Sequence, residues 1–277
     1  MLKISFIGAG SIAESLLAGL LEKKVVAATD ISLVNRSNVE RLQYLTDRYQ
    51  LPSITQQAAQ LLEADIIILA VKPQVIQEVL TEWGPRFRQG QQIISVLAGV
   101  TTDVISSFLA PKISVIRAMP NTSSTIGMSA TAITAGKYCT DEDIKKAEAI
   151  FRAIGTVVVL PEHLMDAATG LAGSGPAYFY LMVEGLELAA QKVGLSREVS
   201  RQLILQTLIG ASHMLLETKK EPEVLREEIT SEGGTTAAGI AVMNDYHFIE
   251  GLEKTIEAAT NRSKEMGEML TKAIAVK

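Results

Sequence analysis

The chain has 277 residues, 47% of them hydrophobic and 21% charged, with a formal net charge of -5. That length accommodates two domains with separate cores, and the acidic balance argues against a nucleic-acid partner, although backbone amides can still hold a small anion. A single cysteine, Cys139, excludes an internal disulfide framework and a cysteine-ligated structural zinc, and fits a reducing compartment.

The opening stretch MLKISFIGAGSIAESLLAGL resembles a signal peptide only superficially: its apolar run is broken by glycines placed where a nucleotide fold uses them. Residues 3–8 form a β-branched strand, and GAGSIAESLLAGLLEKK turns into a helix. DISLVNR (30–36) is a second strand, followed by a helix capped by Ser37 or Asn38. ADIIILAVKP (64–73) is almost wholly apolar, as a strand covered on both faces is, and Pro73 suits a first helical turn. QQIISVLAG, ISVIRAMPN and SATAITAG are further strands, TTDVISSFLA and DEDIKKAEAIFRAIG helices, and TVVVLP the last strand. This alternation predicts a doubly wound α/β sheet of parallel strands over residues 1–160. After Pro161 the β-branched runs stop. Segments from 177, from 199, from 222 and over about 236–274 read as helices with broad apolar faces, which predicts an all-helical domain over 161–277 that buries part of its surface against another subunit. No run approaches the roughly eighteen apolar residues of a membrane span, so neither a membrane nor a nucleic acid is an expected partner and the cytoplasm is the expected location.

Gly8-Ala9-Gly10-Ser11-Ile12-Ala13 is a GxGxxA motif between a strand and a helix. Gly8 makes the tight turn, Gly10 admits a pyrophosphate, and Ala13 keeps the helix near the sheet. Ser11 and Ile12 open that helix. At the end of the second strand a carboxylate would select NAD; here Asn35, Arg36 and Ser37 stand instead, and Asp30 begins the strand. Arg36 suits a ribose 2′-phosphate, so NADP(H) is favoured over NAD(H), the alternative being an ordinary surface arginine. Ala70, Val71, Lys72 and Pro73 end another strand at the same edge. Val71 and Pro73 are expected at the nicotinamide side. Lys72 is either a proton donor or a helix-start lysine, and Asn121 either holds the coenzyme carboxamide or forms an Asx turn.

No metal-ligand spacing is present: His163, His213 and His247 are scattered, and His213 is expected to pack inside an apolar helix. No nucleophile elbow or Walker loop occurs. GLAGSGPAYFY (170–180) has the glycine spacing of β-hydroxyacid dehydrogenases, but Phe179 and Val183 stand where those enzymes place a lysine and an asparagine. Ser174 either faces the crevice or caps a helix. SEGGTTAAG (231–239) is a glycine turn leading into a helix.

Together FIGAGSIA, VNR, AVKPQ, IRAMPNT, GLAGSGPAY and PEVLREEITSEGGTTAAGI resemble the pyrroline-5-carboxylate reductase family over nearly the whole chain. The resemblance implies a Rossmann domain, a helical dimerisation domain, intertwined homodimers often assembled into decamers, and reduction of 1-pyrroline-5-carboxylate to L-proline with NADPH or NADH. It also implies that Ser231, Gly233, Gly234, Thr235 and Thr236 line the substrate carboxylate site, with Thr236 near the ring nitrogen as the catalytic hydroxyl. Ser123 and Glu232 stand where that family commonly has proline, and Glu232 is expected to point outward. The rival readings are a related imine or β-hydroxyacid reductase and a non-catalytic, nucleotide-sensing oligomer.

Overall fold

The computed structural model describes residues 2–36 and 38–275. Strand β1 (Ile4–Ile7) leads into helix α1 (Ser11–Glu22), β2 (Ile31–Val34), α2 (Val39–Tyr49), α3 (Ile54–Gln60) and β3 (Ile66–Leu69). A single 3-10 turn at Pro73–Val75 precedes α4 (Ile76–Trp83); β4 (Gln92–Ser95), α5 (Thr102–Ser106), β5 (Ser114–Met119), β6 (Ser129–Ala135), α6 (Asp141–Arg152) and β7 (Gly155–Val159) follow. The strands form one sheet in the order β2-β1-β3-β4-β5-β6-β7. In β3, Ile66 and Ile68 face one apolar layer with Leu16, Leu33 and Phe151, while Ile67 and Leu69 face the other with Ile76, Leu80 and Ile105. Alternation of side chains across the pleat explains why a fully buried strand reads as an unbroken apolar run.

Every neighbouring pair is parallel except β5 and β6, which run antiparallel. This corrects the expectation of a wholly parallel sheet. The link Pro120–Met128 folds into a 3-10 turn at Thr122–Ile126, and it is too short for a crossover, which takes about a dozen residues or more. The helix at α5 is also shorter than the pattern TTDVISSFLA suggests. Helix α3 lay outside the sequence expectations, although Ser53 and Gln56 form a capping box. Its fully buried Gln57 accepts a hydrogen bond from Leu33 N–H at 2.8 Å, pairing an amide of the edge strand β2.

Beyond β7 come α7 (Met165–Ala168), a π-helical turn at Thr169–Gly173, α8 (Gly175–Lys192), α9 (Arg197–Thr218), α10 (Pro222–Glu228), α11 (Thr235–Asp245) and α12 (Phe248–Ala275). The residues divide into two compact units: one runs to Pro176 and takes in the chain from Glu257 onward, the other is Ala177–Ile256. The sequence pattern had set its division at 160.

Within the first unit, Arg117 on β5 is 1% exposed, and Nη1 donates to Glu162 at 2.9 Å while Nη2 donates to Asp166 at 3.0 Å. Glu162 also accepts from the Thr102 hydroxyl at 2.7 Å, and Asp166 from the Ser263 hydroxyl at 2.8 Å. Arg117 Nε has no partner among the described residues. The later part of α12 approaches the β4–α5 loop so closely that a Cβ on Gly267 would lie 2.6 Å from Gly99 O.

In the second unit, Glu187 on α8 is buried and receives both Nε and Nη2 of Arg201 on α9, at 2.5 and 3.0 Å. That fork holds its carboxyl below the ordinary carboxylate range. His213, expected to be packed, has a side chain 62% exposed beside Glu217. Apolar residues of this helix pair are bare too: Leu203, Ile209 and Leu216 on α9, Leu188 on α8 and Val193 just after it are exposed. Two helices with apolar residues around most of their circumference cannot cover each other on every side.

Arg117→Ala leaves Glu162 and Asp166 without their cation, and urea denaturation should show a loss of about 3–5 kcal/mol. A depressed folded pKa stabilises at pH values above the unfolded value, and that contribution is lost as pH falls through the folded pKa. Thermal unfolding of Glu187→Gln should therefore lie below that of the parent chain at pH 7, with the gap closing below about pH 4.

Candidate active site

The chain leaves β1 and reaches β2 on one side and β3 on the other, so the sheet's topological switch lies at the carboxyl end of β1, where such sheets bind ligands. Gly8 occupies that point at φ +113°. Its N–H donates to Val34 O at 2.8 Å, and a Cβ on it would lie 2.3 Å from Ala70 O. Only glycine accepts both the dihedral and the approach. Gly10 differs: it is exposed, and the nearest atom a Cβ would meet is Ala70 O at 4.0 Å. Its lack of a side chain leaves open space in front of the N-terminus of α1, where no side chain caps the amides. Ser11 is exposed in the first turn, Ile12 is half-buried, and Ala13 is fully buried against the sheet. An uncapped helix terminus over a bare glycine fits a pyrophosphate.

Arg41, which the sequence reading passed over, braces this loop. Its Nε donates to Ala9 O at 3.2 Å, and Nη2 pairs with Glu14 in the first turn of α1. Its backbone N–H is capped by Asn38 Oδ1 at 2.8 Å, so the Asn38 cap that starts α2 also delivers the guanidinium to the glycine loop. Glu14 accepts from the Tyr49 hydroxyl as well; burial, and then Glu14, push that phenol above its usual range. The pairing neutralises a carboxylate that would otherwise oppose an anion at the same helix end.

Asn35 and Arg36 follow β2, and Ser37 lies outside the described residues. Arg36 is exposed, with Nη1 2.5 Å from Glu78 Oε2 on α4. Asp30 sits at the opposite end of β2, in the 3-10 turn Ala28–Asp30. At the end of β3, Ala70 and Val71 are half-buried beside Gly8, Lys72 is exposed, and Pro73 opens its turn as expected. Asn121 forms the turn: Oδ1 accepts from Ser123 N–H at 3.1 Å and Nδ2 donates to Ala172 O at 3.0 Å. That second bond ties the end of β5 to the π-helical turn, a conformation common at functional sites. Ser174 ends the turn, half-buried, with its N–H bonded to Thr169 O at 2.9 Å.

In the second unit, Gly233 has φ +71°, and Gly234 N–H donates to Ser231 O at 3.0 Å. A Cβ on Gly234 would lie 2.6 Å from Ser231 Oγ. This turn presents the start of α11, whose first bond is Ala238 N–H to Gly234 O and whose N-cap Gly234 offers no side chain. The N–H groups of Thr235, Thr236 and Ala237 and both threonine hydroxyls are thus uncommitted among the described residues. Glu232 is exposed, as expected. Phe179 is exposed on α8 in the place of a dehydrogenase lysine.

Residues 162–266 match a family model described as pyrroline-5-carboxylate reductase dimerisation, and residues 3–99 match one described as NADP oxidoreductase, coenzyme F420-dependent. The sequence is 42% identical to a pyrroline-5-carboxylate reductase of Bacillus subtilis, over 99% of this chain and 92% of that protein. The chain belongs to the pyrroline-5-carboxylate reductase family. A solved pyrroline-5-carboxylate reductase from Coxiella burnetii superposes with a TM-score of 0.87 at 35% identity, covering 95% of this chain and 98% of the other. The Plasmodium falciparum pyrroline carboxylate reductase, solved with NADP bound, gives 0.81 at 28% identity over 96% and 98%. As a member of this family the chain is a homo-oligomer built through its helical domain, which accounts for the bare apolar faces of α8 and α9.

The two glycines of the loop are predicted to behave differently. Gly8→Ala should cost at least about 2 kcal/mol in urea denaturation, through strain and overlap with Ala70. Gly10→Ala should stay within about 1 kcal/mol of the parent chain, yet weaken NADPH binding, measured by fluorescence titration, by about tenfold or more.

Proposed function

We propose that the chain reduces 1-pyrroline-5-carboxylate to L-proline with NADPH, NADH serving as the weaker donor. The observation that carries this reading is the uncapped start of α11, where three amides and two hydroxyls have no partner among the described residues. A carboxylate suits the amides and the positive end of the helix. A ketone would demand a proton donor at its oxygen. A cyclic imine takes its proton from solvent and is then already electrophilic at its imine carbon, so the chain needs only to orient it and stabilise its charges.

A nicotinamide held there would supply the hydride for the imine carbon, C2 of the pyrroline ring and C5 of the product proline. The amides of Thr235, Thr236 and Ala237 would hold the substrate carboxylate, with Gly233 and Gly234 shaping the turn and Ser231 adding a hydroxyl. Thr236 Oγ1 would accept the hydrogen bond of the protonated ring nitrogen and, as the nitrogen becomes an amine, keep it in place. Ser174 would lie on the substrate side, and Gly8, Gly10, Ser11, Ile12, Ala13, Asn35, Arg36, Ser37 and the 70–73 segment would hold the dinucleotide. Exposed Lys72 supplies positive charge at that edge. We further propose assembly of dimers into decamers, supported by the amount of apolar surface left on the helical unit, and a cytoplasmic site of action, supported by the single cysteine.

Incubation with NADPH and racemic pyrroline-5-carboxylate should oxidise the coenzyme and yield proline; neither product forming would defeat the assignment. Thr236→Ala should remove about 1–3 kcal/mol of transition-state stabilisation, a loss of roughly 5- to 150-fold in kcat/KM, with NADPH affinity retained. An unaltered kcat would remove the hydroxyl from the mechanism.

A further inference from the structure

We infer that Glu78 sets the balance between NADPH and NADH by contesting Arg36. The inference rests on the reading that Arg36 receives the ribose 2′-phosphate. Arg36 follows β2 and Glu78 lies in the first turn of α4, beyond β3. Because β2 and β3 flank β1, the contact between Nη1 and Oε2 at 2.5 Å spans the carboxyl end of β1, the edge where the dinucleotide loop begins. The side chains are 80% and 65% exposed, so water and ligands reach both.

A guanidinium offers five N–H donors, and Glu78 engages Arg36 at Nη1. An arriving phosphate must share the guanidinium with that carboxylate and accept a like charge nearby. The 2′-hydroxyl of NADH carries no charge and meets neither cost. Glu78 therefore weakens binding of the phosphorylated coenzyme selectively. The pair is solvated, so the effect is a graded adjustment of preference: repulsion over a few ångströms near water amounts to about three- to tenfold.

Steady-state kinetics with each coenzyme on the full-length oligomer test this. Glu78→Gln should lower KM for NADPH about three- to tenfold and raise the NADPH/NADH ratio of kcat/KM by the same factor. Glu78→Lys should move the ratio further in the same direction, and Arg36→Gln should lower it. If Arg36→Gln leaves the ratio unchanged, the phosphate role of Arg36 fails. If Arg36→Gln lowers the ratio and Glu78→Gln does not raise it, the role of Glu78 alone is overturned. A fall in kcat shared by both coenzymes in Glu78→Gln would mark a merely structural residue and overturn it equally.

Discussion

Gly8 passes within touching distance of Ala70 because it has no Cβ, and the dinucleotide end of the molecule depends on that approach. The contact joins the end of β1 to the end of β3, while the Gly8 amide is bonded to Val34 at the end of β2. Three strand ends are thereby drawn together at the sheet's switch point. The helix that follows is aimed with its free amides outward, over the bare backbone of Gly10. A larger residue at position 8 would push β3 away and, with it, the 70–73 segment. The two glycines are thus unlike: one is required by the protein's own packing, the other by what must approach it.

A second constraint acts further along the sheet, on β5. Arg117 is a full charge with almost no access to water, and it is tolerable only because Glu162 and Asp166 meet it. Those carboxylates in turn engage Thr102 and Ser263, so β5, the 162–166 segment, α5 and the later part of α12 share one polar cluster. Asn121, at the end of the same strand, holds the π-helical turn through Ala172. One strand thus carries both the ionic anchor and the turn that leads into α8. In the helical unit the buried Glu187 is tied to Arg201, and many apolar side chains are left for a second copy to cover.

The chemistry assigned to α11 needs little machinery. An imine that is protonated by solvent asks for orientation and charge stabilisation, both of which a helix start can supply through amides that have no other partner. The absence of a capping side chain at Gly234 is part of that capacity. A serine or aspartate there would occupy the amides that the substrate carboxylate is proposed to use.

The sequence by itself determined the elements whose signals are local. The GxGxxA turn, the buried apolar strands, a cap at Ser37 or Asn38, the Pro73 turn and the glycine turn ahead of α11 each follow from dihedral limits or side-chain periodicity within a few residues. The capping box of α3 was equally local, in Ser53 and Gln56, and was legible though unread. The tertiary structure alone decided what depends on partners far along the chain. Arg117 reads as one arginine in a strand until Glu162 and Asp166 are brought to it. Asn121 reads as either a coenzyme ligand or a turn former until its bonds to Ser123 and Ala172 are seen. His213 reads as packed, and within one chain it is exposed beside Glu217. Arg36 reads as free until Glu78 arrives from α4. Charge pairing and burial are properties of the space between elements, and no window of sequence contains that space.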